Sequence, residues 1–280
     1  MKLIIHGGFF TESHANLETK IAKQQALSAI VTKGYEYLKA HTAVETCAYV
    51  VGLLEGNQLF NAGLGSQIQS DGRVRMSASL MDGASGRFSG VINIENVENP
   101  VLVAVKLLDK EDRVLSGEGA LRFARNNGFG YYDPIIPQRQ EEFDAKRNQQ
   151  ENKGTVGCVA LDADGNIAAA TSTGGKGFEM PCRVSDSATI AGNFANRFAG
   201  ISCTGVGEDI VSAGVAVKIA TRVSDGFSLK EATEKTFKEL KEIDGFAGAV
   251  AISSTGEVYH LDSHPHMVWA SFDGTLQVFP

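Results

Sequence analysis

Short apolar runs and helical stripes divide the chain into many small elements. Residues 2–7, KLIIHG, form an apolar run closed by Gly7-Gly8, which predicts a buried strand. From about Glu18 to Leu38 the apolar residues Ile21, Leu27, Ile30, Val31 and Leu38 recur as an approximate helical stripe. Thr42 and Glu45 have capping-box spacing, and Val44, Cys47, Val51 and Leu54 supply the buried face of the helix they start. After a glycine-rich turn at 61–66, VRMSASLMDG and FSGVINIE read as strands. Asn99 caps a helix with Pro100 in its first turn, and Ser116 begins another that stops at Gly128.

The pattern then breaks. From Gln138 to Lys153 the chain is Gln, Asn, Glu, Arg and Lys, with Phe143 as its one large apolar residue. Such a stretch buries too little surface to offset its ordering entropy, so a mobile linker is expected over about 138–154. Beyond it the recipe returns in mirrored order. CVALD-ADGN-IAAATST is strand, turn, strand. A helix is expected near Glu208–Val223. Another opens on the capping box Ser228/Glu231 and buries Leu229, Ala232, Phe237 and Leu240. FAGAVAISSTGEVYHLD closes the chain's second half as a hairpin. Strands grouped in sheets, with a pair of helices in each half, predict an α+β fold: two sheets face to face, helices on both flanks.

Composition narrows the partners. The formal charge of −7 argues against nucleic acid or an anionic membrane surface. The longest apolar run, Cys47 to Leu54, is about half of what a membrane span needs. Cys47, Cys158, Cys182 and Cys203 are dispersed, with neither C-x-x-C nor zinc spacing, and read as small core residues of a reducing compartment. The N-terminal MKLIIHGG is too short for a secretory segment, so the expected address is the cytoplasm.

Candidate chemistry begins where the linker ends. Gly154-Thr155 stands at the mouth of a strand, VGCVALD. Alone, such a pair is a turn followed by a β-branched strand residue. A cut there would leave Thr155 with a free α-amine beside its own hydroxyl, the Thr-plus-N-terminal-amine form of a nucleophile and its base. Three clusters follow. In TSTGG, residues 171–175, Thr171 and Thr173 share a face of the strand pairing with that of Thr155. In RVSD, Arg183 and Asp186 make a complementary clamp for a zwitterion: a guanidinium for an α-carboxylate, a carboxylate for an α-ammonium. In SCTGVGED, residues 202–209, backbone N–H groups at a helix start and the Thr204 hydroxyl suit a developing oxyanion. Gly205 and Gly207 also give part of a dinucleotide fingerprint, but Ile210 stands where the third glycine belongs. His264 and His266 flank Pro265 near Asp262 without a third metal ligand at useful spacing.

The ordered set IHGG, LFNAGLG, GTVG, TSTGG, RVSDS and SCTGVGE, from Leu3 to about Asp273, resembles the plant-type (type 2) L-asparaginase/isoaspartyl peptidase family. These are N-terminal-nucleophile hydrolases related to glycosylasparaginase. The resemblance implies a four-layer αββα sandwich over 1–280, cut by itself into 1–154 and 155–280 and assembled as an (αβ)2 dimer. It implies Thr155 as nucleophile for cleavage after Gly154 and for turnover of L-Asn or β-aspartyl dipeptides. Thr173 would orient it, Asn61 would sit beside it, and Thr204 with the Gly205 N–H would hold the oxyanion. Arg183, Asp186 and Gly207 would bind substrate. No cofactor is implied for the chemistry. A structural sodium is implied on the main-chain carbonyls of Leu54, Glu55, Asn57, Phe60, Ala62 and Leu64. The chain departs from the family at Phe9, after Gly8 where HGGAG or HGGG is usual, and at Lys153, where His or Asp is usual. Cys182 and Ser185 each stand for a Gly. Two other readings are a glycosylasparaginase-like amidase and an uncleaved, inactive homologue serving as a binding protein.

Overall fold

The computed structural model describes residues 1–9, 17–146, 154–264 and 266–280. Strand β1 (Lys2–Phe9) leads to helices α1 (Leu17–Leu38) and α2 (Ala43–Glu55), then to strands β2 (Met76–Asp82) and β3 (Arg87–Ile94). Helix α3 (Pro100–Leu107), strand β4 (Val114–Ser116) and helices α4 (Gly117–Asn126) and α5 (Pro137–Lys146) complete the first half. The second half runs β5 (Val156–Leu161), β6 (Ile167–Thr173), β7 (Asn193–Ala195), β8 (Ala199–Gly205), α6 (Gly207–Ala213), α7 (Val215–Ser224) and α8 (Leu229–Glu242). It ends with β9 (Ala247–Ser253), β10 (Val258–Asp262), β11 (Met267–Phe272) and β12 (Leu276–Val278).

These strands form an eight-stranded sheet, β12-β11-β1-β5-β6-β2-β3-β4, and a four-stranded sheet, β10-β9-β8-β7. Neighbours are antiparallel except β3 and β4. One apolar cluster joins α1, α2 and α3 to the large sheet, through Leu27, Val31, Val51, Leu54 and Val103 against Leu3, Ile5, Leu80 and Val156. A second joins α7 and α8 to the small sheet, through Ile219, Phe237 and Leu240 against Ile201, Cys203 and Ala249. A third lies between the sheets, with Ile4, Val159 and Ile167 of the large one against Val250 and Ile252 of the small one. Gly200 lets the sheets approach: a Cβ there would lie 2.6 Å from Ile167 and 2.8 Å from Val159.

Both capping boxes form as the sequence predicts, Thr42 with Glu45 and Ser228 with Glu231. Two expectations change. The predicted helix over Glu208–Val223 is two helices, broken at Gly214, whose φ of 60° puts it in the left-handed region. The polar stretch from Gln138 is helical to Lys146 rather than a linker throughout. Buried Arg139 holds α5 down, its Nε donating to the Gly65 carbonyl at 2.8 Å and its Nη1 to Glu142 at 2.7 Å, while Phe143 packs by Phe178. The contacts to Gly65 and Phe178 are long-range, so composition did not reveal them. The linker residues 147–153, with Lys153, lie outside the described residues. Among the described residues no helix is long and apolar enough to cross a membrane.

Candidate active site

Thr155 enters the large sheet between β1 and β6. His6 pairs with Gly157, Gly157 with Thr171, and Ser77 with Thr173, so the Thr155 and Thr173 side chains meet at the same end of the sheet. Thr155 Oγ1 donates to Thr173 Oγ1 at 3.4 Å, and both residues are buried. Thr173 Oγ1 in turn donates to the Gly154 carbonyl at 3.2 Å and accepts the Gly175 N–H, also at 3.2 Å. The predicted partnership of Thr155 and Thr173 is therefore present, and it includes the carbonyl of the bond before Thr155.

Asn61 sits behind that bond. Its Nδ2 donates to the Gly154 carbonyl at 2.8 Å and to the Gly175 carbonyl, while its Oδ1 accepts the Gln67 N–H at 3.1 Å. The three contacts fix which end of the amide carries nitrogen. The Gly154 carbonyl thus receives two hydrogen bonds from side chains whose own positions are held by backbone partners.

The sequence reading missed His6. It is fully buried; its Nδ1 donates to the Thr155 carbonyl at 3.1 Å and its Nε2 accepts from Ser202 Oγ at 2.8 Å. Burial pushes its pKa down to about 3, against the small raising effect of the Thr155 carbonyl, so the imidazole is neutral. Ser202 is joined at 2.6 Å by Thr171, which places Thr171 in the layer between the sheets and Thr173 at its mouth. Gly157 makes room: a Cβ there would lie 1.9 Å from Ser202 Oγ and 2.3 Å from His6 Nε2. A polar residue in the apolar run KLIIHG was the available signal.

A pocket opens in front of Thr155. It is lined by Gly154, Thr155, Thr173, Gly175, Lys176, Arg183, Ser185, Asp186, Gly205, Val206, Gly207 and Glu208. All three downstream clusters reach it. Asp186 is buried, and its Oδ2 has no hydrogen-bond partner among the described residues. Burial raises its pKa to about 7, opposed by the nearby Arg183 guanidinium. Gly207 has no side chain to fill the gap between Arg183 and Asp186. Gly205 faces the pocket with φ 140°, and a Cβ there would lie 2.5 Å from the Phe246 carbonyl. Thr204, one residue back, is fully buried, and its Oγ1 lacks a partner among the described residues.

The departures also find places. Phe9 packs edge-on against Phe246 with ring centroids 4.5 Å apart, and Phe246 stacks on His264. His264 is thereby part of an aromatic wall; no group of three metal-ligating side chains occurs among the described residues. Cys182 takes φ 65°, a conformation that favours glycine. Ser185 Oγ accepts the Ser187 N–H at 3.3 Å, closing the short turn that carries Asp186.

The loop 54–65 winds tightly at the end of α2. A Cβ on Gly63 would lie 2.3 Å from the Glu55 carbonyl oxygen, and one on Gly65 would lie 1.9 Å from that of Phe60. The Leu54, Asn57 and Ala62 carbonyls each accept one backbone N–H, leaving a second lone pair. Such a set of hard oxygen donors fits an alkali cation. The Glu55 carboxyl points elsewhere: buried, it accepts Ser172 Oγ at 2.6 Å and the Val101 N–H at 3.0 Å, and burial raises its pKa to about 8.

Comparison with known proteins gives the family. The family model described as asparaginase matches residues 1–277. The isoaspartyl peptidase/L-asparaginase of Synechocystis sp. is 44% identical, covering 98% of this chain and 88% of that protein. The isoaspartyl peptidase of Escherichia coli is 37% identical over 91% of this chain and 88% of its own length. The plant-type L-asparaginase of Pyrococcus furiosus is 34% identical over 96% and 95%. A match along nearly the whole chain, with the glycines and hydroxyls in one pocket, places this chain in the asparaginase family of hydrolases.

Proposed function

We propose that this protein is a self-processing amidohydrolase that acts on the side-chain amide of L-asparagine and on β-aspartyl dipeptides through Thr155. The observation that carries the reading is the Gly154 carbonyl, which takes hydrogen bonds from Asn61 Nδ2 and Thr173 Oγ1 while the Thr155 hydroxyl stands beside it. Attack of Thr155 Oγ1 on that carbonyl carbon moves the acyl group from nitrogen to oxygen. Two donors are aimed at the oxygen on which negative charge develops. Water then cleaves the ester, leaving a carboxylate on Gly154 and a free α-amine and hydroxyl on Thr155.

In turnover that amine is the base. Its ordinary pKa of roughly 7.7–8.0 leaves a useful unprotonated fraction near neutral pH. It takes the hydroxyl proton as Oγ1 attacks the substrate amide carbon. The tetrahedral oxyanion is held by Thr204 Oγ1 and the Gly205 N–H; the buried Thr204 hydroxyl, without a partner among the described residues, is a donor suited to such an acceptor. The amine returns its proton to the leaving nitrogen, and ammonia or an amino acid departs. Water hydrolyses the acyl-enzyme to aspartate. Arg183 takes the α-carboxylate and Asp186 the α-ammonium across Gly207. The asparaginase and isoaspartyl peptidase names of the relatives support both substrate classes.

The same reading assigns the three apolar clusters to a four-layer αββα sandwich, with two cut chains, 1–154 and 155–280, paired as an (αβ)2 dimer in the cytoplasm. Sodium would be held by the carbonyls of Leu54, Glu55, Asn57, Phe60, Ala62 and Leu64, where its charge would stiffen the loop behind Asn61. Release of ammonia and aspartate from L-Asn, and of leucine from β-Asp-Leu, tests the activity. The wild type is expected to release both, and Thr155→Ala neither; turnover retained by Thr155→Ala removes the proposed nucleophile.

A further inference from the structure

Arg183 is the cation on which substrate recognition rests in the reaction proposed above, and Glu208 holds it. Arg183 Nε donates to Glu208 Oε1 at 2.9 Å and Nη2 donates to Oε2 at 2.8 Å, the fork-to-fork pairing of two planar groups. A guanidinium has five N–H donors. This pairing uses one on Nε and one on Nη2, leaving the second Nη2 hydrogen and both on Nη1.

Gly207 sets where the rest of the fork meets Asp186. A Cβ on Gly207 would lie 2.6 Å from Arg183 Nη2 and 3.0 Å from Asp186 Oδ1, so guanidinium and carboxylate flank bare backbone. Glu208 follows immediately, in the first turn of α6, so one segment carries both the bare backbone and the anchor. Lys176 Nζ lies 3.8 Å from Glu208 Oε1, which puts this carboxylate between two cations. Without that anchor, the nearest carboxylate on the pocket lining is buried Asp186. A guanidinium closed upon it would fill the place of the substrate ammonium.

We propose that Glu208 is the positioning residue of the zwitterion clamp: it occupies the Nε/Nη2 edge of Arg183, turns the other edge to the substrate α-carboxylate, and keeps Arg183 and Asp186 apart. The inference rests on the substrate reading above for the identity of the ligand. It concerns KM and not the bond-breaking step, because Glu208 touches neither Thr155 nor the Gly154 carbonyl in the described contacts.

The test is steady-state kinetics with L-Asn and β-Asp-Leu on wild type, E208A, E208Q, R183A and the E208A/R183A double variant, with calorimetric binding of L-aspartate alongside. E208A should raise KM for both substrates on the order of tenfold, with kcat within a few-fold and self-cleavage normal. E208Q should recover part of the loss through its remaining carbonyl acceptor. In the R183A background E208A should add nothing, since residues acting through one group are not additive. Aspartate binding should weaken in parallel. An unchanged KM in E208A overturns the proposal, and so does a lowered one, which would make Glu208 an internal competitor of the substrate. Additive effects of E208A and R183A overturn it too. A wild type that neither turns over nor binds aspartate brings down the functional reading itself, and this inference with it; an active wild type with a neutral E208A removes this inference alone.

Discussion

Two regions of one pocket are built on opposite principles. Around Thr155 the polar groups are buried and uncharged: neutral His6, the hydroxyls of Thr155, Thr173 and Ser202, and the Asn61 amide. Around Arg183 the groups are ionisable: the guanidinium pairs with Glu208, about half of whose side chain is exposed, and the buried Asp186 carboxyl stands beside them. Hydrogen bonding from Arg183 pulls the Glu208 carboxyl down to about 2, so this ion pair persists across the working range of pH. Neutral groups packed in low dielectric stay in place as charge develops on a reacting oxygen. Charged groups at the rim select a ligand of complementary charge. The difference assigns bond-breaking to the first region and recognition to the second.

That division can be broken from its largest effect downward. Losing one oxyanion donor costs about 3–4 kcal/mol of barrier, so Thr204→Ala should lower kcat by a factor on the order of hundreds while KM stays near the wild-type value. Because the Thr204 hydroxyl has no partner among the described residues, the same change should leave thermal stability intact or slightly higher. A near-normal kcat would remove Thr204 from the chemistry. Asn61→Ala should slow self-cleavage on the order of a hundredfold, since it takes away one of two donors on the Gly154 oxygen. The check is the rate at which two bands replace one after purification; a wild-type rate separates Asn61 from the cut.

A pH profile sharpens the comparison on the charged side. Asp186 has its pKa raised to about 7, mostly by burial. Below that pH its carboxyl is neutral and cannot pair with an ammonium; above it the carboxylate can. KM for L-Asn should therefore fall as pH rises through about 7, and Asp186→Asn should flatten that dependence while raising KM throughout. For stability the sign is opposite. A carboxyl with a raised folded-state pKa favours the folded protein most at low pH, and that share is lost as pH rises from its unfolded value toward 7. The smallest effect is at Cys182, where a left-handed residue that is not glycine costs about 1–2 kcal/mol. Allowing for the extra chain entropy of glycine when unfolded, Cys182→Gly should stabilise by up to about 1 kcal/mol in chemical denaturation. A loss of stability would show that the Cys182 side chain makes up the strain.

The two regions were not equally legible in the sequence. Arg183, Asp186, Thr173 and Gly205 stand in short motifs whose residue types declare their chemistry, and all of them reach the pocket. The local devices were legible as well: both capping boxes and the β5–β6 hairpin sit where spacing places them. The partnerships of His6 and Glu208 were not, for the same reason, although a polar residue in an apolar run marks His6 itself. Each works through a partner far along the chain, Thr155 and Ser202 for one, Arg183 for the other, and no local pattern marks such a pairing. Arg139 shows the same limit, since its bond to the Gly65 carbonyl converts a polar stretch into an anchored helix. Strands β11 and β12 also escaped, because β11 pairs with β1 at the far end of the sequence, the chain having crossed back to the other sheet, and β12 pairs only with β11.

The central claim is that the Thr155 hydroxyl severs the peptide bond before it and then serves as nucleophile. Intact mass under denaturing conditions, followed over time on freshly purified protein, tests it most directly. The account predicts that one species of the full chain gives way to two, 1–154 and 155–280, with amidase activity rising in step, while Thr155→Ala stays whole. Activity at full strength in a chain still joined at Gly154-Thr155 would contradict it.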